Sequence, residues 1–363
     1  MNLLKPMNPP QASSHLEHYF TAIQAKYPDK PLQVRIFSGV LGLDFTYPPG
    51  SSSQPYHIAS IGKVFTASQI YMLAEKGLLS PQDLISRYFT TAELDRLFVY
   101  KNLDYARQVT IEHLLGHTSG IADYFEGKTT GEKTFQEDIL ANPAAHWTPQ
   151  KLVDYTRENQ SAVGIPGKVF NYTDTGYILL GLIIEKVTGK SFAENLEDGF
   201  FRPLDMNDSY LMFYSDPVNK PKKDISQIWF NGVEISGYES LSCDWSGGGI
   251  VSTTADLLKF SQALRSGQLL QSSTLDSMDA CSHKFRQGIY YGKGMMEIRF
   301  KEFFFLLGRL PKIKGHIGIL STHLFYDVTR DAHIIMNFGD STRMVESFKA
   351  LIEIENVLQR MKR

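Results

Sequence analysis

Polar and apolar residues alternate over residues 31–47, and this pattern predicts two β-strands with a turn near Ser38-Gly39. From Ser60 to about Lys76 the apolar residues instead recur with helical spacing, and Gly77 is a typical helix stop. Helices and loops then continue to about residue 240. Three further helices are predicted there, one capped by Thr110, one over residues 173–189 and one over residues 191–204.

After residue 240 the pattern changes again. A glycine-rich segment precedes a helix that begins near Thr253 and ends at Gly267. Strand-like runs follow at residues 292–300, 302–308, 315–328 and 332–339, and a helix over residues 341–362 closes the chain. The most apolar short run, FFFLL at 303–307, is far too short to cross a membrane, so we interpret it as a buried strand and not as a membrane contact.

Strands near both termini with helices between them predict an α+β fold. We expect one antiparallel β-sheet, flanked by helices and built from the two ends of the chain. The predicted organisation is a sheet domain of residues 1–80 and 241–363, an inserted helical domain of residues 81–240, and an active site in the cleft between them.

Composition narrows the function classes. The 363 residues carry a formal net charge of -2, which gives no electrostatic reason to expect nucleic acid or an anionic membrane as a partner. There is no run of 18 apolar residues, so no membrane span is expected. The N-terminal residues do not resemble a secretory signal, which fits a cytoplasmic protein or an exported one whose signal has been removed. Cys243 and Cys281 are interpreted as small buried residues and not as a disulfide framework.

Ser60 and Lys63 are the first candidates for chemistry. Positions i and i+3 of a helix share one face, so both side chains can reach one point. A serine hydroxyl becomes a good nucleophile when a base takes its proton, and a lysine can be that base when burial disfavours its charged form. At a helix start, the Ser60 backbone N–H is also free to bind an oxyanion. The alternative is a solvated helix cap followed by an exposed lysine.

Two later stretches supply companions for this pair. PGKVFNYTDTGYILLG places Tyr172 and Asp174 just before a helix, and KIKGHIGILSTHLFYD places His316 and Gly318 on a strand. Simpler interpretations are a buried aromatic for Tyr172, a helix N-cap for Asp174 and a hydrogen-bonded strand histidine for His316.

In this order, the motifs resemble those of the serine β-lactamase and penicillin-binding-protein superfamily, which read Ser-x-x-Lys, Tyr-x-Asn and Lys/His-x-Gly. The nearest branch is that of class C β-lactamases, D-alanyl-D-alanine carboxypeptidases and esterases. The stretches LLGHTSGI, RPLDMNDSYL and WSGGGIVSTTADLLKF resemble further signatures of this superfamily, and the resemblance covers about residues 30–345.

The resemblance implies an acyl-enzyme mechanism without a metal or a cofactor. Ser60 would be the nucleophile and Lys63 its base, while Tyr172 would carry protons to the leaving group and from water. The backbone N–H groups of Ser60 and Ile319, the latter just after Gly318, would bind the oxyanion. His316 would contact the tyrosine or a substrate carboxylate, and the loop 123–149 would form a lid or wall of the cleft.

The sequence also departs from the family pattern. Asp174 replaces the commonest Asn, so it can attract Lys63 and keep the lysine charged. Ile319 is larger than the residue often found there and should narrow the cleft. His316 replaces a lysine and gives up a permanent charge. There is no Glu-x-x-Leu-Asn segment of the class A type. These departures favour an esterase or peptidase over an efficient β-lactamase.

Two other site types receive less support. Glu112, His113 and His117 invite a metal interpretation, but their order is not that of a His-Glu-x-x-His motif. The run Gly247–Gly249 lacks the Lys-Ser/Thr of a phosphate loop. The sequence therefore predicts a serine hydrolase acting on small esters, amides or peptides. A non-hydrolytic penicillin-recognising or scaffold protein and a serine transacylase stay open as alternatives, as does the oligomeric state.

Overall fold

The computed structural model describes residues 5–131, 133–218 and 221–361. The β-strands are β1 (Gln33–Ser38), β2 (Leu43–Tyr47), β3 (Tyr56–His57), β4 (Val99–Tyr100), β5 (Leu103–Asp104), β6 (Tyr210–Leu211), β7 (Trp229–Phe230), β8 (Val233–Glu234), β9 (Ile250–Ser252), β10 (His283–Arg286), β11 (Ile289–Tyr291), β12 (Met296–Ile298), β13 (Ile313–Gly318), β14 (Thr322–Asp327) and β15 (Ala332–Asn337).

The α-helices lie mostly between these strands. They are α1 (Pro9–Lys26), α2 (Gly62–Glu75), α3 (Thr91–Leu94), α4 (Ile111–Leu115), α5 (Phe135–Ala141), α6 (Pro149–Asn159), α7 (Asp174–Thr188), α8 (Phe192–Leu196), α9 (Trp245–Gly248), α10 (Thr254–Arg265), α11 (Ser272–Met278), α12 (Phe300–Phe303) and α13 (Met344–Arg360). Within the described part of the chain, no helix combines the length and the apolar character that a bilayer crossing requires.

The predicted α+β fold is confirmed. The main sheet is antiparallel, in the order β10-β11-β12-β13-β14-β15-β1-β2. The N-terminal hairpin joins the C-terminal strands through β1 and β15, where Val34 lies opposite Met336. The two ends of the chain therefore build one sheet. The division into a sheet domain and an inserted helical domain stays a prediction.

Local signals explain the helices that were predicted correctly. Thr110 caps α4 by accepting a hydrogen bond from the His113 N–H, and Gly189 ends α7 in the left-handed conformation. Helix α13 closes the chain as predicted, although the last predicted position, Lys362, lies outside the described residues. Cys243 and Cys281 are both buried, as expected.

The prediction of a buried strand at 303–307 is wrong. Strands β12 and β13 pair directly, with Met296 opposite Gly315, so the segment between them has no free strand position beside it. Residues 300–303 form the short helix α12, and a 3-10 turn follows at Phe305–Arg309. Only Phe303 of the three phenylalanines turns inward, against Phe348, with ring centroids 5.6 Å apart.

Two buried clusters hold the layers together. One packs α1 and α13 against the main sheet, and the other surrounds α2 and α7 in the helical region. Helix α2 is buried over most of its length because it contacts both α7 and α9, and this explains its nearly continuous apolar sequence. The start of α2 thus lies where the helical region meets strand β13.

Candidate active site

Ser60 lies in a tight turn between β3 and α2. The 3-10 turn Ala59–Ile61 runs directly into α2, and Ala59 has φ +50°. A non-glycine residue in this region is strained and persists only where its surroundings hold it. Here Thr322 of β14 donates a hydrogen bond to the Ile58 carbonyl at 2.9 Å, and Gly248 packs against the Ala59 backbone. The half-buried Ser60 side chain is thereby presented to a cavity.

Lys63 lies one turn further along, with its side chain fully buried. Its Nζ donates to the Ser60 Oγ at 3.2 Å and to the Gly247 carbonyl at 2.8 Å, and it forms an ion pair with Asp174. The structure therefore brings Ser60, Lys63 and Asp174 together. The Asp174 carboxylate faces the Lys63 amine directly, as the Asp-for-Asn exchange suggested, so proton transfer between the two side chains needs no movement.

Asp174 does not cap helix α7, contrary to the sequence interpretation. Thr173 is the N-cap, and its hydroxyl accepts a hydrogen bond from the Gly176 N–H. Asp174 is the first helical residue, and its own N–H donates to Asp123 at 2.7 Å. The Asp174 carboxylate is thus free to face Lys63 because its neighbour satisfies the helix start.

Tyr172 faces the same cavity as Ser60. The Ser60 hydroxyl is hydrogen-bonded to the phenol, and Lys63 Nζ lies 5.1 Å from the centre of the ring. Burial, followed by the charge of Asp174, raises the pKa of the Tyr172 phenol well above its usual value. The resting phenol therefore keeps its proton and is suited to donate it.

His316 lies behind this arrangement and is fully buried. Its Nε2 lies 3.3 Å from the Tyr291 hydroxyl, its Nδ1 lies 2.8 Å from the Ile317 carbonyl, and its ring centre is 6.4 Å from that of Tyr172. Burial, and then the charge of Lys63, lowers the pKa of His316 to about 3. The imidazole is neutral, and it is not among the described residues that line the cavity.

Strand β13 brings the predicted oxyanion residues beside the nucleophile turn. A Cβ atom on Gly318 would lie 2.8 Å from both the Ala59 Cβ and the Ile58 carbonyl oxygen. Glycine therefore allows the strand to approach the Ser60 turn this closely. Ile319 follows directly and lines the cavity, where its branched side chain takes up space as expected.

The cavity has a volume of about 250 Å³ and is lined by both apolar and charged side chains. Its large apolar residues are Phe125, Phe285, Ile289, Met296, Ile317, Ile319, Met344 and Phe348. Asp174, Asp244 and Glu126 line it as well, and Arg286 is the charged residue of opposite sign. The loop 123–149 contributes Phe125 and Glu126, so part of the predicted wall does border the cavity.

Two carboxyl groups of this site were missed by the sequence analysis. Burial, and then Asp174, raises the pKa of Asp123 to about 7, and the same two causes raise the pKa of Asp244 to about 7. The charge of Lys63 lowers both pKa values. Three carboxyl groups therefore surround one buried ammonium. Asp244 directly precedes the WSGGG stretch, and this position is the one sequence signal that could have identified it as a site residue.

Tyr291 is a further missed residue, for which the sequence held no signal. Its hydroxyl lies 3.2 Å from that of Tyr177 and 3.3 Å from His316 Nε2. Its ring also packs against His117 at 4.4 Å between centres. Tyr291 thus joins the buried imidazoles behind Lys63 into one layer.

The residues considered for a metal site or a phosphate loop have other roles. His117 Nδ1 accepts from the Thr173 N–H at 3.1 Å, whereas Glu112 forms an ion pair with Lys293. Within residues 5–131, 133–218 and 221–361, no three His, Cys, Asp or Glu side chains are grouped so as to hold a metal ion. Gly247 and Gly248 belong to α9, where they pack against Lys63 and the Ser60 turn.

Penicillin-binding proteins are among the sequence relatives of this chain. Penicillin-binding protein 4* of Bacillus subtilis (strain 168) is 30% identical over 247 residues, covering 63% of this chain and 49% of that protein. The putative penicillin-binding protein PbpX of the same strain is 26% identical over 242 residues, covering 66% and 54%. The chain therefore spans about half the length of these curated relatives.

Similar solved structures cover nearly the whole chain. A D-stereospecific amidohydrolase from Streptomyces sp. has a TM-score of 0.72 and 24% identity, covering 92% of this chain and 98% of that one. The D-amino acid amidase from Ochrobactrum anthropi SV3, complexed with L-phenylalanine amide, has a TM-score of 0.75 and 22% identity, covering 96% and 98%. These similarities establish the fold. The family model described as Beta-lactamase matches residues 46–352, and the chain therefore belongs to the beta-lactamase family.

Proposed function

We propose that the chain hydrolyses small amides and esters through an acyl-enzyme on Ser60, with amino-acid amides and peptides that carry a free amine as its preferred substrates. The observation that carries this proposal is the 3.2 Å contact between the Ser60 hydroxyl and the buried Lys63 ammonium at the wall of a cavity. A buried lysine beside a serine is costly without a function, and here the Ser60 side chain borders space for a substrate.

Acylation follows from the contacts. Lys63 passes a proton to Asp174 and then takes the proton of Ser60, while the Ser60 oxygen attacks the substrate carbonyl carbon. The backbone N–H groups of Ser60 and Ile319 are the candidate donors to the oxyanion. Tyr172 gives its proton to the departing amine or alcohol as the carbonyl re-forms, and Lys63 returns a proton to Tyr172.

Deacylation uses the same groups in the opposite direction. Water attacks the acyl carbonyl carbon and gives up a proton through Tyr172 to the Lys63 amine, and Lys63 passes a proton to the departing Ser60 oxygen. Asp174 then returns its proton to Lys63, which restores the starting state. His316 has no part in these transfers, because its pKa of about 3 keeps the ring neutral and it does not border the cavity.

The charges of the cavity favour a substrate with an ammonium group. Asp174 is already paired with Lys63, whereas Asp244 and Glu126 add carboxyl groups whose pKa values are raised by burial and by Asp174. An incoming ammonium would stabilise their charged forms. A neutral His316 offers no charge to a substrate carboxylate. The names of the similar structures, a D-amino acid amidase and a D-stereospecific amidohydrolase, point to the same class of amides.

Labelling tests the nucleophile. We expect a fluorophosphonate to add one label to the wild type, as seen in the intact mass, and none to Ser60→Ala. Ser68→Ala is the matched control, because Ser68 is a buried serine within helix α2, which directly follows the Ser60 turn. An equal label on Ser60→Ala, or no label on the wild type, would overturn the acyl-enzyme. Turnover of a p-nitrophenyl ester that requires an added alcohol would instead indicate a transacylase.

Substrate class is tested with D- and L-phenylalanine amide and their N-acetyl derivatives. We expect the free-amine forms to be cleaved with a kcat/KM at least about tenfold higher than the acetylated forms, because one charge-assisted contact contributes about 1.5–3 kcal/mol. Glu126→Gln should raise KM for the free amine and leave p-nitrophenyl acetate unaffected. Equal rates for the two forms would refute the ammonium preference and leave the acyl-enzyme standing.

A further inference from the structure

Three large apolar side chains protrude together from the segment between β12 and β13. Phe304 is 51% exposed, Phe305 is 70% exposed and Leu306 is 59% exposed. We call these three residues the aromatic turn. Scattered exposed apolar residues are common on soluble proteins, but three consecutive large ones form a contiguous patch that usually marks an interaction site.

The aromatic turn is held in place from both sides. Before it, Phe303 packs against Phe348 of α13, with ring centroids 5.6 Å apart. After it, the Arg309 guanidinium donates to the Asn356 side chain at 3.0 Å, and Gln359 donates to the Arg309 carbonyl at 3.3 Å. The apolar tip is therefore presented by a segment that is anchored to the last helix.

Basic side chains flank this tip. The Lys301 side chain lies over Gly308, where a Cβ atom would be 3.2 Å from the Lys301 Cγ, and Arg309 ends the turn. Among the described residues neither Lys301 nor Arg309 has a carboxylate within ion-pair distance. The nearby acids are already engaged, since Glu297 pairs with Lys314 at 2.8 Å and Glu302 lies 3.8 Å from Lys284. The tip is thus locally basic although the chain is weakly acidic overall.

We propose that the aromatic turn docks the protein on an anionic lipid surface. Phe304, Phe305 and Leu306 would enter the boundary between headgroups and acyl chains, and Lys301 and Arg309 would contact the anionic headgroups. An apolar tip with basic flanks is the chemistry that binds such an interface. A buried strand at this run would have left no apolar side chain to contact a membrane, and the exposure of the run removes that objection.

A second copy of the chain fits the same surface less well. A two-fold contact through the aromatic turn would bring Lys301 and Arg309 close to their own copies, because such an interface uses the same patch twice. The neighbouring acids are engaged within the chain and are not available to neutralise these cations. A bilayer rich in anionic lipid supplies the missing negative charge.

Docking would also orient the proposed active site. Phe303 adjoins the aromatic turn and packs against Phe348, which lines the cavity beside Ser60. Phe303 and Phe348 would therefore connect the docked turn to the lining of the cavity. This inference goes beyond the proposed hydrolysis and does not depend on it, because docking needs none of the catalytic groups.

Vesicle sedimentation of the full chain tests the proposal. The vesicles contain phosphatidylcholine and phosphatidylglycerol in equal parts, or phosphatidylcholine alone. We expect the wild type to sediment with the anionic vesicles and the binding to weaken with added salt. Phe305→Ser should reduce partitioning by about tenfold or more, because serine has no apolar ring to insert into the lipid. The pair Lys301→Glu and Arg309→Glu should remove the preference for phosphatidylglycerol.

Val328→Ser is the matched control, since Val328 is a lone apolar residue that is also 70% exposed. Circular dichroism melts of each variant show whether the fold is retained. Equal partitioning of Phe305→Ser and the wild type, or no binding of the wild type to anionic vesicles, would overturn the proposal. A wild-type dimer in light scattering that Phe305→Ser converts to a monomer would overturn it as well and assign the surface to self-association.

Discussion

Gly318→Ala should damage the candidate site without touching any reacting group. Gly318 ends β13, and the methyl group of alanine would lie 2.2 Å from Thr322 Oγ1, 2.8 Å from the Ala59 Cβ and 2.8 Å from the Ile58 carbonyl oxygen. The threonine hydroxyl can rotate, although it would give up its bond to Ile58. Ala59 and the Ile58 carbonyl belong to the strained turn that carries Ser60 and cannot yield in this way.

The size of the effect follows from these distances. Ordinary van der Waals contact begins at 3.4 Å, so strand and turn must separate by about 0.6 Å. Forcing one extra methyl group into a packed site costs about 1–3 kcal/mol of stability. The same movement would draw the Ile319 N–H away from the proposed oxyanion, and misplacement on this scale lowers kcat by about 10- to 100-fold.

The assay compares kcat for p-nitrophenyl acetate with the urea unfolding midpoint. Gly39→Ala is the matched control, because a Cβ atom there meets no other atom within 4 Å. That control should keep its activity and stay within about 0.5 kcal/mol of wild-type stability. If Gly318→Ala retained wild-type kcat and stability, the contact between β13 and the Ser60 turn would not position the oxyanion donors, and the reasoning would fail.

Two further predictions concern the carboxyl groups around Lys63. Because the pKa of Asp244 is raised to about 7, its ionisation destabilises the native state as pH rises from about 4 to about 7. Asp244→Asn should therefore gain up to about 4 kcal/mol over the wild type at pH 8 and nothing at pH 4 in urea unfolding; parallel pH profiles would contradict this. Lys63→Met should abolish turnover and cost about 3–5 kcal/mol at pH 8, because it leaves Asp174 without its cation. The loss of stability should be smaller at pH 5, where Asp123 and Asp244 are protonated. A loss that does not change with pH would contradict the idea that Lys63 stabilises all three carboxyl groups.

Local signals in the sequence predicted much of the fold. Helix α2 was found from its helical spacing and Gly77, and helix α7 from its spacing, the polar residues at its start and Gly189, because such signals act within a few residues. Helix α1 was not predicted, although Asn8 and Gln11 form a capping box and Pro9 follows the cap. Strand β10 was also missed, since this short edge strand is mostly exposed and its four residues show no apolar alternation, although its partner β11 follows almost directly.

The error at residues 303–307 has a different cause. Apolar composition suggested burial, but burial of a strand requires a free position beside another strand, and the direct pairing of β12 with β13 leaves none. A sequence cannot show in advance which edges of a sheet are occupied. The same limit explains why Tyr291 was not anticipated beside His316 and Tyr177, because these three come from separate elements.

The order of motifs was enough to bring Ser60, Lys63 and Tyr172 to one cavity, but not to give the charge state of the site. Under the proposed function, that charge state also determines how a substrate binds. Asp244 lines the cavity and gives up its proton near pH 7, so it is negative only part of the time at neutral pH. An ammonium placed beside it favours the ionised form, and a proton is released as the substrate binds. Binding of a cationic amine should therefore strengthen as pH rises through 7, whereas a neutral ester gains nothing from the same change.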